Sequence, residues 1–98
     1  MTTFKQFVEN TGFSWFVALI LDEKVVDLNI VYGQNENNVK RRAVQYVLPQ
    51  YKESIKPIII TKIDDFNAPW LNDFDPNMGA NGTDDDRENF LKKWFPNL

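Results

Sequence analysis

The chain contains no cysteine and no histidine among its 98 residues. The first absence removes disulfides, thiolate metal sites and thiol nucleophiles. The second removes the imidazole base of Ser–His–Asp and Cys–His arrangements. Together they remove the usual ligands of a structural zinc site. Zero cysteine fits a reducing compartment. Glycine is scarce, with four residues in all, and the GQNENN stretch holds only one, so it is no phosphate-binding loop. The longest apolar run, Trp15 to Leu21, is far short of a membrane span. The opening residues, MTTFKQFVENTG, lack the basic region and apolar run of a signal peptide. The expectation is a cytoplasmic protein with no membrane partner.

What is present suffices for one domain over residues 1–98. The apolar fraction is 43%, with eight Phe, three Tyr and three Trp, enough for a single compact core. A chain this short buries a modest share of its surface, so marginal stability is expected. The net charge of −3 hides a strong polarity. Residues 64–88 carry eight of the fourteen acids and one base, Arg87, for a formal −7. Residues 40–62 carry Lys40, Arg41, Arg42, Lys52, Lys56 and Lys62 against Glu53 alone, for +5.

Periodicity predicts the elements. Thr2 or Thr3 can cap a short helix with Phe4, Phe7 and Val8 on one side, stopped by Gly12. FSWFVALIL, residues 13–21, has the aromatic and branched content of a strand buried on both faces. KVVDLNIVY follows, with Val26, Leu28, Ile30 and Tyr32 on one face and Asp27 and Asn29 on the other. The two runs predict an antiparallel hairpin, although Asp22-Glu23 is not a preferred turn pair. Asn35 can cap an amphipathic helix over 35–48, with Val39, Ala43, Tyr46 and Val47 inward and Lys40, Arg41 and Arg42 outward. Pro49 ends it. A third strand is predicted over 56–63, a long loop after Asp64, and a last helix over 84–94. The order α-β-β-α-β-loop-α is that of an α+β domain, with a three-stranded, largely antiparallel sheet covered by helices. Such a sheet leaves edges open, so a homodimer is one expectation.

The acidic stretch holds one spaced motif. Asp73, Asp75, Asn77, Gly79, Asn81 and Asp84 stand at positions 1, 3, 5, 7, 9 and 12 of a twelve-residue loop. Those positions supply the oxygen ligands of an EF-hand, which this segment resembles. The resemblance implies calcium held by Asp73, Asp75, Asn77, Asn81 and Asp84. The segment departs from the pattern at Met78, where a glycine makes the sharp turn, and at Asp84, where a longer glutamate is usual. The same residues also read as helix-start chemistry. Thr83 with Asp86, or Asp85 with Glu88, makes a capping box, and three aspartates suit the positive end of a helix. That second reading leaves Asp64, Asp65, Asp73 and Asp75 unexplained.

Three classes of function follow. The first is a non-enzymatic protein-binding module. Asp64, Asp65, Phe66, Trp70, Asp73, Phe74 and Asp75 interleave acids with aromatic anchors, and would steer a basic partner such as a nucleic-acid-binding protein. Lys40, Arg41 and Arg42 would form a second contact surface. The second is a calcium-stabilised domain. The third is a nucleic-acid binder, with the basic helix on phosphates and Tyr32, Tyr46 and Tyr51 available to stack bases. An enzyme built on the carboxylates ranks last, since nothing in the sequence brings them together. In size and composition the chain resembles the small acidic single-domain proteins that phages and mobile elements encode to bind and inhibit a host protein.

Overall fold

Phe13–Leu21 form strand β1 at the centre of a three-stranded antiparallel sheet, between β2 (Lys24–Gly33) and β3 (Lys56–Ile63). The computed structural model describes residues 12–64 and 68–98, so the helix predicted around Phe4, Phe7 and Val8 lies outside the described residues. As the unbroken apolar run predicts, β1 is covered on both sides, with every residue from Ser14 to Leu19 buried. Phe16 and Ala18 face a core completed by Leu28, Ile63 and Phe90. Trp15 and Val17 face the other way, against Val39 of helix α1 (Glu36–Ala43).

The Phe16 side is an aromatic core. The fully buried Phe16 ring lies 4.6 Å from Trp70, 5.1 Å from Phe74, 5.9 Å from Phe90 and 5.8 Å from Phe95, centroid to centroid. Trp70 belongs to a short helix α2 (Pro69–Asp73), and Phe90 to the closing helix α3 (Asp84–Trp94). Tilted and edge-on contacts of this kind add about 0.5–1.5 kcal/mol each beyond burial. From Pro69 onward, the stretch expected as a long loop carries helical turns and packs its aromatic rings on the sheet. Pro69 opens α2 and Pro76 opens a 3-10 turn, Pro76–Met78, since a helix start needs no N–H there.

The hairpin forms, and its turn explains how an unfavoured pair serves. Asp22 and Glu23 both take positive φ, 52° and 66°, as a two-residue loop matched to strand twist requires. A register shift follows at once. Leu19 pairs with Asp27 while Ile20 pairs with Val25, leaving Val26 as the extra residue. The bulge turns Val25 toward the Phe16 core, so Val26 does not share a face with Leu28 as strict alternation predicts.

Helix α1 is capped as expected, with the Asn38 N–H donating to Asn35 Oδ1 at 2.9 Å. It ends at Ala43, not 48. Val44, Tyr46 and Val47 are poor helix formers ahead of a proline, and the chain unwinds through single turns. Gly33 lets α1 lie close, because a Cβ there would overlap Val39 Cγ2. The Gly33 carbonyl accepts the Trp15 indole N–H at 3.0 Å. Among the described residues no helix is long and apolar enough to cross a membrane.

Candidate functional site

The acidic stretch is held from within. Arg87, 5% exposed, is its organising residue. Its guanidinium donates to the carbonyls of Val25 (2.8 Å), Gly79 (2.6 Å) and Gly82 (3.1 Å) and to Asp84 Oδ1 (2.6 Å). Gly79 and Asp84 are two of the EF-hand-like positions, and here both face a guanidinium. Asp75 Oδ1 accepts the Asn77 N–H at 2.9 Å, forming a local turn. Asp73 Oδ2 accepts the Trp94 indole N–H at 2.7 Å and meets Lys93 at 3.3 Å. Asn77 and Asn81 are exposed. Among the described residues no three acidic side chains converge closely enough to hold a metal ion.

Thr83 Oγ1 accepts the Asp86 N–H at 3.1 Å, so the first of the two capping readings is the one that forms. Asp84, Asp85 and Asp86 then fill the first turn of α3, with Lys92 and Lys93 in its last, both favourable to the helix dipole. Of the residues proposed as a partner surface, Trp70 and Phe74 are half-buried with their rings on Phe16. Asp64 is exposed, 3.9 Å from Lys62. Asp65 and Phe66 lie outside the described residues.

A different surface gathers exposed apolar groups. Between β2 and the segment that unwinds after Ala43 lies a groove of about 700 Å³. Leu19, Val26 and Val31 of the hairpin line it, together with Val47 and Ile55. Tyr32, Tyr46 and Tyr51 line it and are 59%, 91% and 41% exposed. Tyr46 was expected on the inward face of a longer helix. The early end of α1 takes it off that face and into solvent.

The groove has a basic flank. Lys40, Arg41 and Arg42 are all exposed on α1, and Arg42 both lines the groove and donates to the Tyr32 carbonyl at 3.4 Å. Arg41, Arg42 and Lys52 line an adjoining hollow. At the other end lies Asp27, beside the N–H groups of Leu28 and Ala80. Partial burial raises the Asp27 carboxyl above its ordinary value, offset in part by those two N–H groups and by Arg87. Asp73 is lowered, chiefly by the Trp94 indole N–H and then by Lys93.

The sequence carried two partial signals of this arrangement. Arg87 is the single base in a strongly acidic stretch, and the three tyrosines cluster near the basic run. Neither specifies the carbonyls of residues 25, 79 and 82, or the helix end at 43. Comparison with protein-family models, with curated proteins and with solved structures finds no match to this chain.

Proposed function

We propose that this chain is a non-enzymatic protein-binding module of the inhibitor type, acting by covering a surface of its partner. The observation that carries this reading is the tyrosine-lined groove. Tyrosine offers large rigid contact area with a polar tip, and is enriched where interfaces concentrate their energy. Tyr46, 91% exposed beside aliphatic side chains, leaves its ring open to a partner. Of the carboxylates that an enzyme reading needs, the described ones are engaged apart from one another: Asp64 with Lys62, Asp73 with Trp94 and Lys93, Asp75 with Asn77. A photo-crosslinking residue placed at Tyr46 should trap one dominant protein from the cognate cell extract, while the same residue at exposed Asn89 should not. Equal, diffuse labelling from both positions would reject the reading.

A second reading is single-stranded nucleic acid, supported by the convergence of Tyr32, Tyr46 and Tyr51 with Arg42. Stacked bases and neutralised phosphates need that combination. A gel shift with an oligonucleotide at low salt tests it, and the absence of any retardation removes it.

A further inference from the structure

We infer that the groove accepts an acidic amphipathic helix of a partner protein, docked through its side chains and not as an added strand. This rests on the protein-binding reading and names the chemistry of the partner.

Strand addition needs a row of free N–H and C=O groups on a sheet edge. The outer edge of β2, which borders the groove, offers only an interrupted one. Two alternate residues each have one backbone group engaged by a side chain. The Ile30 N–H donates to Asn29 Oδ1 at 2.9 Å, and the Tyr32 carbonyl accepts from Arg42 at 3.4 Å. The loop at Gly79 also covers this edge. A Cβ built on Gly79 would stand 2.7 Å from Asp27 Oδ1 and 3.3 Å from the Leu28 carbonyl. A partner therefore enters between the aliphatic walls with side chains leading, and an amphipathic helix presents such a row at i, i+3, i+4 and i+7.

Charge selects the polar face of that helix. Arg41, Arg42 and Lys52 flank the groove and its adjoining hollow. Among the described residues the acids nearby are Asp27, beside two N–H groups and attracted by Arg87, and Glu53, the lone acid between residues 40 and 62. An acidic rim on the incoming helix pairs with the three cations, whereas a basic one meets like charge.

Three dye-labelled probes test this on the full chain: a helical peptide of about 15 residues with leucine on one face and glutamate on the other, the same peptide with lysine for glutamate, and an oligothymidylate of similar length. Fluorescence anisotropy gives affinity, and amide and methyl NMR shifts give location. The glutamate peptide should bind at least tenfold tighter than the lysine peptide, weaken with added salt, and shift Val47, Ile55 and Tyr46. Y46A should lose at least tenfold, and K52E, which removes neither partner of the Arg42–Tyr32 bond, should narrow the discrimination between peptides. A preference for the lysine peptide overturns the charge assignment while leaving a protein-binding groove. Tighter binding of the oligothymidylate at Tyr46 overturns the protein partner itself. In the free protein, contacts from Phe4, Phe7 or Val8 to Tyr46 would give the groove to the chain's own N-terminal residues, and concentration-dependent shifts at Tyr46 would give it to a second copy. Either result overturns the proposal, as does the absence of any groove shift with millimolar glutamate peptide.

Discussion

Arg87 and Asp84 form a 2.6 Å ion pair one turn apart at the start of α3, and the arginine end of that pair is buried. The pair ties the acidic stretch to the sheet, because the same guanidinium reaches the Val25 carbonyl on β2. Replacing Arg87 by methionine keeps the apolar stem but leaves the carbonyls of Val25, Gly79 and Gly82 without this donor. Asp84 is half-exposed and can rehydrate, so the expected loss is about 2–4 kcal/mol and not the full cost of a broken buried pair. In a domain of this size that is a fall in Tm of about 10–25 °C. R87K should fall in between, since one ammonium cannot replace a planar fork. An R87M melt within about 3 °C of the parent would show that the guanidinium network does not hold the loop.

The same network bears on calcium. At EF-hand-like positions 7 and 12 the Gly79 carbonyl and Asp84 already face a cation, and Asp73 is turned toward Trp94 and Lys93. A calcium ion would have to displace a guanidinium and then dehydrate. Thermal melts in millimolar calcium and in chelator should superimpose for the parent chain. A reproducible upward shift with calcium would mean that the loop releases these ligands to metal.

The sequence was most legible where one local rule sufficed. The burial of β1 followed from an apolar run without alternation, and the start of α3 from Thr83 three residues ahead of Asp86. It was least legible where a residue's role depends on backbone brought from afar. Arg87 looks like a solvated charge in the sequence because its acceptors are mostly carbonyls, which every residue carries. Val26 departs from its expected face because the bulge after Leu19 is a property of two strands together. Tyr46 departs from its own because poor helix formers before Pro49 let α1 stop early. The groove follows from that last departure, so periodicity over residues 35–48 concealed it.

The β1–β2 turn offers a gain in stability. Asp22 and Glu23 both occupy the left-handed region, where a side chain with a Cβ is strained by about 1–2 kcal/mol, less for aspartate. Changing the pair to Asn-Gly relieves the strain, and the extra freedom of glycine in the unfolded chain takes back part of it. The net gain should be about 0.5–1 kcal/mol, read as a rise in Tm of about 2–8 °C. E23A should give no such gain, because alanine keeps the Cβ. A lower Tm for the Asn-Gly chain would mean that the turn carries contacts beyond its backbone shape.

Asp27 and Asp73 should give pH profiles of opposite slope. Asp73 is lowered below its ordinary 3.8, first by the Trp94 N–H and then by Lys93. Its contribution is present above 3.8 and is lost as pH falls through the lower folded-state value. The parent should therefore melt above D73N near neutrality, and that gap should close on acidification. Asp27 is raised, chiefly by burial. The folded state favours its protonated form, so its contribution is full below 3.8 and is lost as pH rises through the raised value. D27N keeps an acceptor oxygen and carries no charge, so its Tm should gain on the parent as pH rises through that window and then hold level. Melts from about pH 3 to 7 on the three chains measure both slopes at once. If the D27N gap narrows with rising pH, the two N–H groups and Arg87 outweigh burial, and Asp27 acts as a second clasp on the loop at Ala80.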